Sequence, residues 1–315
     1  MKRLHRGIGV MLLSAVVLSA SLAVAQTGVN PSDVSGEIVA AGSSTVAPVT
    51  ARMFEMFTRM GFGGAVRNDV LGTGAGFEHF CEDLDADIAN ASRAINATEL
   101  AACRANGREP IELVIGIDAL AVVVSASNTF ARDLSRDELA AIYSGGAASW
   151  DELDANYPRS PVFPYSPGTD SGTFDYFVEA IFDRSPRAIL RAPGVQFSES
   201  DTVLVTYIEA NNFAIGFFGY AYYYPERRRL RALSIDGIEP GADTAASGAY
   251  PLSRPLFIYT AASVLAEKPQ VAAFVRFYLE NVSSQLGLDG RQVGYFPVTD
   301  ATMGNNVAAL DAAIQ

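Results

Sequence analysis

Ile38-Val39-Ala40-Ala41-Gly42-Ser43-Ser44-Thr45-Val46-Ala47-Pro48-Val49 is the stretch on which the fold turns. A short apolar run ends at Gly42, three hydroxyl residues follow, and Val49, Met53, Phe57 and Met60 then recur at helical spacing. A strand that passes through such a turn straight into an amphipathic helix is the building unit of α/β architecture. The plan recurs nearby: Val66 to Leu71 reads as extended, Gly72-Thr73-Gly74-Ala75-Gly76 as a turn, and Phe77, Phe80, Cys81 and Leu84 as the apolar face of a helix. It returns in mid-chain, where Val162 to Tyr165 leads through Ser166 to Gly172 into a helix faced by Phe174, Phe177, Val178, Ile181 and Phe182.

Outward from these units, Asp87 to Ala91 reads as a strand ending at Ser92-Arg93. Leu113 to Ile115 and Leu120 to Val124 read as two buried strands where a first lobe hands over to a second. Leu256 to Thr260 returns the chain, and Ala272 to Leu279 reads as a final helix of the first lobe. The expected organisation is a discontinuous first lobe, residues 26–115 plus 256–315, and a second lobe, residues 116–255. Residues 1–25 stand apart, with Lys2, Arg3 and Arg6, then an apolar core, then Ala23-Val24-Ala25, the pattern of a cleavable signal peptide. That core barely reaches the ~20 residues a membrane span needs, no Cys follows it for a lipid anchor, and no later stretch is long and apolar enough to span. Export to the periplasm is the expectation, as a monomer of two domains at about 100–200 residues each.

With 35 acidic against 23 basic residues the net charge is −12, which speaks against a nucleic-acid-binding surface. It does not exclude an anionic ligand, because salt screens exposed charges beyond about 8 Å and a local array of donors then decides. Cys81 and Cys103 fit no zinc spacing, and an oxidising compartment favours a bridge between them. In the chain-entropy model a bridge closing so short a loop contributes about 3 kcal/mol. Neither a metal nor a cofactor is expected.

The three Ser/Thr/Gly turns carry the chemistry. The first N–H groups of a helix lack partners inside it, and the macrodipole places about half a positive charge there. An oxyanion is held without a large basic patch if such turns meet in one cleft, with hydroxyls of Ser44, Thr45, Ser171 and Thr173 as further donors and Gly74 and Gly172 permitting close approach. The alternative is that each turn only caps its own helix, a contribution of about 1 kcal/mol.

Taken together, Ala41 to Pro48, Gly72 to Gly76, Asp87 to Arg93, Pro167 to Phe174 and Tyr250-Pro251-Leu252-Ser253-Arg254-Pro255 resemble, in order, the PstS-type phosphate-binding proteins of ABC importers. The two Cys positions and Ala214 to Tyr222 are most similar to the SphX-like branch. The resemblance spans about residues 35–300. It implies an α/β type II periplasmic-binding fold, two lobes of mixed sheet flanked by helices and joined by crossing hinge strands that close over one inorganic phosphate, with ABC permease subunits as partner. By motif it implies Ser44, Thr45 and the N–H of Val46 as ligands from the first turn, Thr73 and Gly74 from the second, and Ser171, Gly172 and Thr173 from the third. The early strand contributes Ser92. Many members carry Asp after the Ala-Ser of that strand and Arg four residues before Ser-Gly-Thr; here those places hold Arg93 and Pro167, while Asp170 precedes Ser171. The expectation is a transfer of charge between lobes, with Arg93 as the cation and Asp170 as acceptor for a protonated phosphate oxygen.

Two other readings stand beside this one. Another tetrahedral oxyanion, sulfate or molybdate, fits the same donors. A serine hydrolase or phosphatase is suggested only by Gly168 to Gly172; past the signal peptide His79 is the sole candidate base, and neither clustered His nor a metal-binding Cys spacing accompanies it. Trp150 reads as packing, Phe213 to Tyr224 as buried strand and turn, and Arg227, Arg228, Arg229 and Arg231 as a solvated basic turn.

Overall fold

All three strand–turn–helix units are present in the computed structural model, which describes residues 30–169, 171–288 and 294–314. The expected signal peptide and Asp170 lie outside the described residues. In the first unit, strand β1 (Glu37–Gly42) leads to helix α1 (Ala47–Arg59). Pro48 sits in the first turn of α1, where its missing N–H costs nothing, and Val49, Met53 and Phe57 are buried beneath. In the second unit β2 (Ala65–Val70) leads to α2 (Thr73–Glu78). After β3 (Ile88–Ala91) come α3 (Ala97–Ala105), β4 (Pro110–Ser125), β5 (Asp133–Leu134) and α4 (Arg136–Ser144). The third unit is β6 (Phe163–Pro167) with α5 (Gly172–Phe182). The remaining strands are β7 (Gln196–Ser198), β8 (Ala214–Gly219), β9 (Leu230–Ala232), β10 (Ser234–Ile235) and β11 (Ser253–Ala261).

One mixed sheet runs through the molecule in the order β2-β1-β3-β11-β4-β8-β6-β7, with β9 also paired to β4 and a separate pair of β5 and β10. The two stretches read as separate strands, Leu113 to Ile115 and Leu120 to Val124, belong to the single 16-residue strand β4. Its first part pairs antiparallel with β11, from Pro110 opposite Ala261 to Ala119 opposite Ser253. Its last part, Leu120 to Val124, pairs with β8. Gly116 and Asp118 between them gave the appearance of a break, but both lie in the ladder.

The buried apolar residues divide at the same place. Leu113, Ile115 and Leu256 belong to a core with Ile38, Phe57, Phe80 and Phe274. Ile117, Leu120 and Leu252 belong to a second, with Tyr143, Trp150, Phe177 and Phe217. In the latter the Phe177 and Phe217 rings stack at 3.8 Å, and Trp150 donates from Nε1 to Phe213 O at 3.0 Å, so Trp150 does pack. Phe296 joins the second core although it lies late in the chain, and it bridges backbone to backbone with Ile117.

Four readings of local structure need correcting. Of Phe213 to Tyr224, read as buried strand and turn, only Ala214–Gly219 is strand; Tyr220–Glu226 is a helix that leaves Tyr222 and Tyr224 exposed. The helix carrying Phe77 widens to a π-turn over His79–Asp83 and stops at Leu84, whose φ is 61°. Leu84 is therefore exposed rather than on an apolar face, and Arg108 Nη2 donates to its carbonyl. Ala272 to Leu279 lies within helix Pro269–Gln285, which is not the last; Asp300–Ile314 forms another, rich in Ala and with little apolar periodicity to announce it. In the basic turn, Arg231 is not solvated, since it donates to Asn128 O and Ala131 O, while Arg229 pairs with Glu209 and Glu226. The disulfide joins Cys81 of the π-turn to Cys103 of α3, with Cα atoms 4.1 Å apart.

Candidate functional site

The first turn is shaped from beneath. Gly42 has a φ of +132°, and a Cβ there would stand 2.2 Å from Asn90 O, so only glycine permits β1 to pass this close to β3 before turning. Ser43 N donates to the same Asn90 carbonyl. The Asn90 side chain is held in turn: its amide donates to Asn68 Oδ1 at 3.0 Å and its oxygen accepts from Thr50 Oγ1 at 2.8 Å. Ser43 Oγ accepts from Thr45 N at 3.2 Å and Val46 N at 3.4 Å, so the Val46 N–H read as a ligand donor is engaged within its own turn.

The third turn meets the first. A Cβ on Gly172 would lie 3.1 Å from Thr45 Oγ1 and 3.4 Å from Ser44 Oγ. Ser44, Thr45, Gly172 and Thr173 line one cavity of about 720 Å³. Ser171 Oγ accepts from Thr173 N at 3.2 Å, a capping role that holds the start of α5 towards that cavity. Tyr295 Oη donates to Thr45 O at 2.9 Å and fixes the turn from another side.

The second turn is organised differently. Thr73 Oγ1 and Ser92 Oγ are 3.2 Å apart, and Ser92 N donates to Thr73 Oγ1, so these two predicted ligands pair with each other. Arg93 grips Glu99 through both Nη atoms, at 2.9 and 2.6 Å, and Nη2 lies 4.0 Å from where a Gly74 Cβ would be. Glu99 also accepts from Asn96 N in the capping box of α3. Burial would raise the Glu99 carboxyl, but the Arg93 hydrogen bond and the backbone bond outweigh it and hold it below its ordinary value. Arg93 thus stands beside the second turn, already paired.

A different guanidinium lies against the first turn. Arg254 of β11 and Asp118 of β4 face each other across the ladder at the point where β4 leaves β11 for β8. Arg254 is 9 % exposed and Asp118 5 %. Arg254 Nε donates to Asp118 Oδ2 at 3.3 Å and Nη2 donates to Thr45 Oγ1 at 3.1 Å. Its Nη1 lies 3.6 Å from Glu179 Oε2 of α5, and the group stacks 4.0 Å above the Tyr176 ring. One side chain therefore touches the first turn, the crossing strand and the helix of the third turn. Asp118 lines the cavity. Burial lifts its carboxyl above the ordinary aspartate value, and Arg254 only partly pulls it back.

Sequence reasoning missed both members of this pair. Arg254 lay within a quoted motif, but its contact with Thr45 bridges 209 positions and could not be read from spacing. His79, the one candidate base among the described residues, has its Nδ1 2.9 Å from Asp85 Oδ1, while Ser171 Oγ is occupied in capping.

Chemically, the cavity offers hydroxyls and the start of an eleven-residue helix beside a buried arginine, donors that suit an oxyanion. A family profile described as the PBP superfamily domain matches residues 27–282. The SphX protein of Synechococcus elongatus is 39 % identical over 83 % of this chain and 77 % of its own length. The phosphate-binding protein PstS of Staphylococcus haemolyticus is 30 % identical over 92 % of this chain and 93 % of its own. Among solved structures, a possible phosphate binding protein from Planctomyces limnophilus superposes with a TM-score of 0.78 at 33 % identity, covering 90 % of this chain and all of that one. An ABC-type phosphate transport receptor from Vibrio cholerae shares the fold with a TM-score of 0.67 at 23 % identity, over 82 % of this chain and 99 % of its own. The fold is the type II periplasmic-binding fold, and the chain belongs to the PBP superfamily, in the family of SphX and the phosphate-binding protein PstS.

Proposed function

We propose that this chain captures inorganic phosphate between two lobes in the periplasm and delivers it, as a monomer, to the permease subunits of an ABC-type importer. The lobes are residues 26–115 with 256–315, and residues 116–255; residues 1–25 direct export. The observation that carries the reading is the meeting of the Ser44-Thr45 and Gly172-Thr173 turns in one cavity, with Arg254 donating to Thr45 Oγ1. An anion there gains charge-assisted hydrogen bonds in a partly buried site, where unpaired polar groups cost several kcal/mol. Binding from both sides favours a closed arrangement that neither turn stabilises alone.

Of the site residues expected from sequence, Ser44, Thr45, Gly172 and Thr173 are proposed as direct contacts. Thr73, Gly74, Ser92 and Arg93 are proposed to join on closure. Asp170 is proposed as an acceptor for a protonated phosphate oxygen, from outside the described residues. Asp118, in the cavity wall, favours the same choice, because a carboxylate repels an anion with no proton to share. Titration calorimetry from pH 5 to 8.5 is expected to give heat with phosphate and at least about a hundredfold weaker binding of sulfate, near 2.7 kcal/mol. Equal affinity for the two would replace phosphate by a general tetrahedral oxyanion, and silence from both would remove the binding role.

A further inference from the structure

A hydroxyl group has one proton to give and two lone pairs to receive with, so its neighbours decide which way it acts. A guanidinium can only donate. Where Arg254 Nη2 meets Thr45 Oγ1 at 3.1 Å, the threonine is therefore the acceptor, and its own proton is left for a partner on another side. The cavity supplies that side. A Cβ on Gly172, at the start of α5, would lie 3.1 Å from the same oxygen, and Thr45 lines the cavity there with Gly172 and Thr173.

Arg254 is engaged on every side before any anion arrives. Thr45 and Asp118 line the cavity, and the buried Arg254 stands behind them. Its Nε is bonded to Asp118 Oδ2 and its Nη2 to Thr45, its Nη1 lies 3.6 Å from Glu179 Oε2, and the Tyr176 ring covers one face at 4.0 Å. These neighbours come from β4, the first turn and α5, so three elements together set the direction of the guanidinium. Backbone N–H groups do the same for other hydroxyls of the turns: Ser43 Oγ receives from Thr45 N and Val46 N, and Ser171 Oγ from Thr173 N. Thr45 Oγ1 differs in being turned by a charged side chain, and a bond from a charged donor also polarises the O–H that it leaves free, making it a stronger donor in turn.

We infer that Arg254 is a positioning residue for phosphate capture: without touching the ion, it holds the Thr45 hydroxyl as an obligate donor to it. This rests on the reading of the same cavity as a phosphate site and adds the residue that sets the direction of one of its donors. Asp118 acts at one further remove, by aiming Arg254. The role needs a fork. Arg254→Lys keeps a positive charge beside Asp118, but a single ammonium lacks the planar geometry that reaches Asp118 and Thr45 together.

The test is calorimetry with inorganic phosphate on the full exported chain, as wild type, Arg254→Lys, Thr45→Val and the two combined, with thermal melts of each to establish folding. Arg254→Lys should weaken phosphate about tenfold in the wild-type background but less than about twofold in the Thr45→Val background, because its effect runs through the hydroxyl. Thr45→Ser returns the hydroxyl and should restore the tenfold effect. Equal losses in both backgrounds would overturn the inference, since neither a purely structural role nor a direct contact with the ion depends on Thr45. An unchanged affinity of Arg254→Lys would overturn it too. A crystal structure of the wild-type phosphate complex decides the matter without any variant: Thr45 Oγ1 should lie within hydrogen-bond distance of both the ion and Arg254 Nη2. A guanidinium bonded directly to phosphate would overturn the inference and leave the phosphate reading intact, whereas a wild type that binds no phosphate would overturn both readings together.

Discussion

Arg254 joins β4, the first turn and α5, and its energetics follow from burial. Charges held at 9 % and 5 % exposure have lost most of their water, and the 3.3 Å bond between them compensates only while both are present. Changing Arg254→Met should lower unfolding free energy by about 3–5 kcal/mol in urea melts, since it leaves the Asp118 charge buried and unpaired, whereas Asp118→Leu should cost less, because Glu179 remains 3.6 Å from Arg254. The double variant should be less destabilised than either single loss would suggest when the two are added. Additive losses would show that the two charges act separately. Only part of this was legible beforehand. Ser44, Thr45, Gly172 and Thr173 were readable because a hydroxyl beside a helix start is a local signal of type and spacing. Arg254 and Asp118 were not, because their partnership is set by which residue of β4 faces which residue of β11, and sequence does not print that register.

Among elements, the segment from His79 to Ala86 shows how a short irregular stretch is held. The disulfide fastens Cys81 to α3, Asn106 Nδ2 donates to Cys81 O, and Arg108 Nη1 donates to Phe80 O and Ala86 O. Cys103→Ser should lower stability by about 3 kcal/mol, the loop-entropy value for a short closed segment, measured by denaturant unfolding of oxidised protein. A loss below about 0.5 kcal/mol would place the holding force in Arg108 and its carbonyls instead, at the level of ordinary single hydrogen bonds. The sequence pattern identified the helix carrying Phe77 and Phe80 but not its end. Leu84 fits helical spacing, and only the extra residue of the π-turn, seen in backbone bonding such as Asp85 N to His79 O, rotates it to the surface. The Asp300–Ile314 helix escaped for the opposite reason. Of its residues only Asn306 and Leu310 are buried, and Asn306 is held by its side-chain bonds with the Val114 backbone rather than by apolar spacing.

At the scale of the whole molecule, three clusters of buried apolar residues share a single sheet, the third gathering Val123, Leu204, Ile208 and Phe218, and the ladder of β4 and β11 runs from the first cluster into the second. If phosphate draws the walls of the cavity together, small-angle scattering should show a smaller radius of gyration on adding it, together with a stability gain of about 2.7 kcal/mol at a hundredfold excess over Kd. Unchanged scattering with a full stability gain would indicate a preformed, rigid cleft. The α/β class could be read from alternating strand and helix patterns, because those patterns are local. The continuity of β4 could not, since Gly116 and Asp118 break its apolar run although both lie within the ladder. Antiparallel pairing has one more consequence. Gly116 and Leu256 are direct neighbours, so the chain leaves for its long excursion and comes home about one strand spacing, roughly 5 Å, away. Everything between is, topologically, one insertion whose two ends abut in a single ladder, and Phe296 from beyond it helps to fill its core.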